Sequence, residues 1–134
     1  MKEQVITIKW PSGRYQLYLP NALNNISMTD LRKKVFEWLF KNLWVSPENE
    51  RTVEALDAYI PEWIQDLKGE WHDASVKFQQ EYRDPKRGTT KEERDAIKRE
   101  NDSLFRKVKQ TKKSYERSEK ILTIWTETRA RYMS

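Results

Sequence analysis

Residues 91–132 contain neither Pro nor Gly, and one set of positions recurs through them at alternating spacings of four and three. The set is Ile97, Asn101, Leu104, Val108, Thr111, Tyr115, Ser118, Leu122, Trp125, Arg129 and Tyr132. Such spacing predicts one uninterrupted helix with a single buried seam, about 60 Å long at 1.5 Å per residue. No chain of 134 residues can hide a helix of that length inside one globule, so the rest of the fold is arranged along it. The polar members Asn101, Thr111 and Ser118 make the seam a weak coiled coil, able to set register at some cost in stability.

The segment before it carries a shorter version of the same pattern. Ile60, Ile64, Leu67, Trp71, Ala74 and Phe78 repeat at four and three. Asp84-Pro85-Lys86-Arg87-Gly88-Thr89-Thr90 then interrupts it with Pro, Gly and two potential caps, and Thr89 with Glu92 or Thr90 with Glu93 forms a capping box. Residues 62–82 are therefore expected to pair antiparallel with about 91–112. Upstream, Ser46-Pro47-Glu48 reads as a helix start, and Pro61 either kinks that helix or begins another. Ser27 caps an earlier helix whose stripe is Leu31, Val35, Trp38 and Leu39; Phe36, Phe40 and Trp44 widen it, as in a helix touched on two sides. Val5–Trp10 and Arg14–Leu19 flank Pro11-Ser12-Gly13 and read as a β-hairpin, with Ile8 opposite Tyr15 in the favoured register.

The expected fold is accordingly α+β and mainly α. An N-terminal hairpin packs on a helical bundle with a long C-terminal helix and a protruding antiparallel arm. Within a single domain 1–134, residues 1–60 plus 113–134 form the head and 61–112 the arm, with its tip at 83–91.

Composition removes several chemistries. There is no Cys, one His and three Gly, so disulfides, thiolate metal sites and glycine-rich phosphate loops are absent from this sequence. No catalytic, metal or cofactor site is expected. No apolar run approaches a membrane span, and Met1–Val5 lacks a signal-peptide core; the expectation is a soluble, cytoplasmic protein with no membrane partner.

Charge is uneven. The formal net charge is +5, from 26 basic and 21 acidic residues. Residues 91–134 hold thirteen basic and eight acidic groups, so the excess lies in the long helix. Arg99, Arg106, Lys113 and Lys120 recur every seven residues opposite the seam, about 10.5 Å apart, and Lys109 and Arg117 flank them. This basic ridge suits a phosphate backbone or an acidic protein. The tip offers Arg83, Lys86 and Arg87 on a short exposed turn. Of the six Trp, most fall at or beside apolar-periodic positions and are expected in the core. Trp44, at a helix end, and Trp63, one position off the seam, are the candidates for a contact surface. His72 beside Asp73 and near Asp66 is the one site a small enzyme could use.

These features point to a non-enzymatic protein–protein interaction module that inhibits or adapts a larger partner, a protein or nucleoprotein assembly, in the manner of small mobile-element or viral proteins. The alternatives are a nucleic-acid-binding accessory protein using the ridge and, less prominently, an enzyme built on His72. An imperfect polar seam can also be completed by a second copy, giving a homodimer.

Overall fold

A computed structural model describes residues 6–9, 16–19, 26–45 and 47–133, with side chains described from residue 26 onward except at 46 and 48. The Pro11-Ser12-Gly13 turn, Trp10 and the Ser46 cap lie outside the described residues. From residue 26 onward, 89% of the described residues are helical, which makes the protein a helical one and corrects the α+β expectation. Ile6–Lys9 and Gln16–Leu19 pair antiparallel with Ile8 opposite Leu17, but no hairpin packed on the helical bundle is seen. The backbone register differs by two residues from the expected one. Strand alternation carries no information about what such a pair of strands rests on.

Three helical segments follow. α1 comprises Met28–Asp30, the π-helical stretch Leu31–Glu37 and Trp38–Lys41 in succession. α2 is Pro47–Glu81 and α3 is Lys91–Met133; a 3₁₀ turn at Pro85–Arg87 lies between them. The chain divides into two compact units, Met1–Ile64 with Ser118–Ser134, and Gln65–Arg117.

In the first unit, the Ser27 hydroxyl accepts from the Asp30 N–H at 3.2 Å and starts α1 as a side-chain cap. The i→i+5 bonding that follows widens the helix, so neighbouring residues on successive turns are buried together: Val35 with Phe36, then Leu39 with Phe40. Leu31, Val35, Phe36 and Leu39 of α1, Leu56 and Ile60 of α2 and Ile121 of α3 are fully buried and form the core. Trp125 sits at its centre. Its ring meets Phe36 edge-on at 4.9 Å and Phe40 at 5.2 Å, and its indole N–H donates to Asp57 Oδ1 at 2.8 Å. Asp57 also pairs with Arg129. Tyr132 stacks parallel to Phe40 at 6.1 Å, and Arg131 reaches Glu37 at 3.5 Å. α2 runs through Pro61 without a break, with the ring on the exposed side.

Here the seam departs from its strict heptad form. After Ser118 the buried residues are Ile121, Trp125 and Thr128, while Leu122 and Arg129 are only half-buried. A straight helix drifts by about 20° per heptad against a 3.5-residue repeat, so the contact line slips back by one position.

In the second unit, α2 and α3 form an antiparallel pair. Trp71 stacks on Tyr115 at 5.5 Å, Phe78 lies 5.7 Å from Phe105, and the Arg83 backbone meets Asn101. Asn101 is buried and clamps the chain as it leaves α2: its Oδ1 accepts from Arg83 N–H at 3.2 Å and its Nδ2 donates to Arg83 C=O at 2.7 Å. Its place in the seam is thus explained by a turn whose polar backbone it satisfies. Thr111, also buried, returns its hydroxyl to Lys107 C=O at 2.8 Å. The apolar residues buried here are Leu67 and Ala74, a thin core for a helix pair.

Candidate functional site

The α1–α2 connection is held by amides. Asn42 Nδ2 donates to Trp38 C=O at 2.8 Å, and Asn49 Nδ2 of α2 donates to Asn42 C=O at 2.6 Å, satisfying carbonyls at the end of α1. Leu43 is buried beneath the turn. The next two side chains point outward: Trp44 is 86% exposed and Val45 76% exposed. An indole and a branched aliphatic side chain thus stand side by side in water on a turn anchored from both helices.

Trp63 does not join them. It is 3% exposed and stacks on Tyr59 at 6.3 Å, which corrects its assignment to a contact surface. The apolar face of α2 in this stretch spans Tyr59, Ile60, Trp63 and Ile64, all buried. A helix enclosed over so wide an arc buries the residue beside the seam as well as the seam itself.

On α3, Arg99, Arg106 and Lys113 are exposed, and among the described residues none has a carboxylate within 4 Å. Lys109 holds its ammonium 4.6 Å from the Phe105 ring centroid, a cation–π contact. Arg117 is half-buried and engaged. These residues belong to the second unit, whereas Lys120, exposed on the same helix, belongs to the first.

The turn at 82–90 is tightly bonded. Arg83 pairs with Glu100. Asp84 Oδ1 accepts from Lys86 N–H at 3.0 Å, and the Lys86 and Arg87 side chains are exposed. Gly88 is required by close approach: a Cβ there would meet Arg94 Cγ at 2.8 Å and Arg94 N at 2.9 Å. Thr90 Oγ1 accepts from Glu93 N–H at 3.1 Å, capping α3. Glu93 reaches back one residue further than in a standard box, accepting from the Thr89 hydroxyl at 2.7 Å and Thr89 N–H at 2.8 Å. Those bonds, the hydroxyl's first, hold the Glu93 carboxyl below its ordinary pKa.

His72 is exposed, and among the described residues no carboxylate lies within 4 Å of its ring nitrogens. Among the described residues no group of three His, Asp or Glu side chains is placed to hold a metal ion, and no helix is long and apolar enough to cross a membrane.

Sequence reasoning missed two exposed rings in the second unit, Tyr82 and Phe105, which both contact Phe78. A signal for them exists. Phe105 falls one position past the seam residue Leu104, within a run, 103–115, that holds five cations and no carboxylate. Comparison with known protein families, curated proteins and solved structures returns no match.

Proposed function

We propose that this chain is a non-enzymatic interaction protein that binds a larger protein partner through Trp44 and Val45, acting as an adaptor or inhibitor of that partner. The observation that carries the reading is their joint exposure on a turn held by side-chain amide hydrogen bonds. Burying a Trp removes roughly 150–250 Å² from water, a gross gain of about 5 kcal/mol at 25 cal/mol per Å². An exposed Trp is of the residue type that dominates binding hot spots, and Val45 extends the apolar surface beside it. The amide clamps at Asn42 and Asn49 fix the turn in advance, so little ordering cost opposes binding. The test is affinity capture from the native host's extract. Wild-type protein and a variant with Arg106 and Lys113 reversed to Glu retain the same specific partner, and a Trp44→Ser, Val45→Ser variant of unchanged helix content loses it. Equal capture by the Trp44 variant refutes the reading.

A second reading is supported by the ridge. Arg99, Arg106 and Lys113 are exposed without acidic partners among the described residues, beside a run free of carboxylates. Such a surface suits nucleic-acid phosphates. If it binds them, affinity falls steeply with salt, and each cation removed lowers the slope of log affinity against log salt by about 0.9 on B-form DNA. A salt-independent affinity excludes it.

A further inference from the structure

The thin core of the second unit leaves aromatic rings at its surface. Phe78 and Tyr82 are 5.5 Å apart on one side of the antiparallel pair, and Phe105 lies 5.7 Å from Phe78 on the other helix. Both contacts are tilted, so no ring covers the face of its neighbour completely. Tyr82 remains 51% exposed and Phe105 45% exposed.

From Phe105 onward the charge along this face of α3 is basic. Phe105 lies in the run 103–115, with Arg106, Lys107, Lys109, Lys112 and Lys113 and no acid. Of the nearby carboxylates, Glu81 pairs with Lys77 at 3.9 Å and Glu100 with Arg83, in a groove lined also by Ser103 and Leu104, while Asp102, one turn before Phe105 on α3, is exposed. Lys109 rests over the Phe105 ring, where a flexible four-carbon stem can lift its charge toward an anion and uncover the ring.

A ligand that satisfies both features must be a polyanion carrying flat π faces at regular intervals. An acidic polypeptide supplies the charge, but its aromatic side chains, where it has them, do not recur at every repeat. A nucleic-acid duplex supplies the charge but buries its base faces within its own stack. Only an unpaired strand presents both, and aromatic platforms beside a basic track are how proteins hold such strands without reading sequence. Resting on the nucleic-acid reading of the ridge and narrowing it, we propose that the face formed by Phe78, Tyr82, Phe105 and Lys109 binds single-stranded nucleic acid, the rings stacking on bases while Arg106 and Lys113 follow the phosphates.

The experiment uses the full chain and fluorescently labelled oligonucleotides of about 15 nucleotides, an unstructured oligothymidine and a hairpin duplex of equal charge, at about 0.15 M salt and across a salt series. The single strand is expected to bind more tightly than the duplex. Phe105→Ala and Tyr82→Ala are each expected to weaken single-strand binding by about 5- to 100-fold and to leave duplex binding unchanged. Phe105→Tyr, which keeps a ring, should retain affinity, and circular dichroism of each variant reports helix content. Reversing Arg106 and Lys113 should weaken both ligands and lower the salt slope. Duplex binding as tight as single-strand binding, or indifference of the single strand to loss of either ring, overturns the proposal while leaving the ridge reading in place. Failure to bind either oligonucleotide overturns both.

Discussion

Replacing Trp125 by Phe separates the two things that this residue does in the first unit. The indole packs its ring against Phe36 and Phe40, and it ties α3 to α2 through the N–H donated to Asp57. Phe keeps most of the ring contact and loses the hydrogen bond. A bond to a charged group contributes about 1.5–3 kcal/mol; the Asp57 side chain is 31% exposed and keeps Arg129, which places the loss near the lower end, about 1.5 kcal/mol. The smaller ring also forfeits packed volume, roughly 1 kcal/mol more, for a total of about 2–3 kcal/mol. Trp125→Ala removes both ring contacts as well and should cost about 3–5 kcal/mol. The cleanest assay is a double-mutant cycle of Trp125→Phe with Asp57→Ala in urea, followed by circular dichroism and fluorescence. A coupling of about 1.5 kcal/mol is expected. Additivity within about 0.3–0.5 kcal/mol would refute the argument that an indole–carboxylate bond joins the two helices.

Two further perturbations probe the second unit. Gly88→Ala should destabilise the turn by about 1–3 kcal/mol, because the added methyl meets Arg94 backbone as well as side chain; a melting temperature equal to wild type would contradict this. Glu93 has its folded-state pKa lowered by the Thr89 bonds. Its contribution is therefore fully present above the ordinary carboxylate pKa and lost as pH falls through the lowered one. Protection of the first-turn amides of α3, relative to their intrinsic exchange rates, should fall across that acidic window, and Glu93→Gln should abolish this pH dependence while leaving the last turn of α3 unaffected.

Much of the helical architecture is legible in side-chain spacing. The four-and-three alternation from Ile60 to Phe78 and from Ile97 onward marks two helices that face one another, and Asp84–Thr90 marks the turn between them. What spacing alone does not convey is how wide each buried arc is. Trp63 and Trp44 look alike as residues beside an apolar stripe, yet Trp63 is enclosed because its helix is covered over a broad face, whereas Trp44 follows the buried Leu43 on a turn and is exposed. The slip from Leu122 to Ile121 follows from helical geometry that a strict seven-residue template ignores. Asn101 illustrates a further limit: its spacing marks it as a seam residue, but its partner is a backbone segment eighteen positions away, a contact that becomes visible only once the chain has turned. The exposure of Tyr82 and Phe105 has the complementary cause, since a helix pair with few large residues at its seam leaves neighbouring aromatics uncovered, and the acid-free run around Phe105 is its one trace in the sequence.

Site-specific photo-crosslinking in the native host tests the central claim, that Trp44 and Val45 form the contact with a protein partner, most directly. A photoreactive phenylalanine analogue is placed at position 44 and, in a parallel experiment on the same chain, at the exposed position 113. Illumination should join the position-44 protein to one discrete protein partner, with the product lost when Val45 is replaced by Asp. Absence of any protein adduct from position 44, or the same adducts from both positions, would contradict the account.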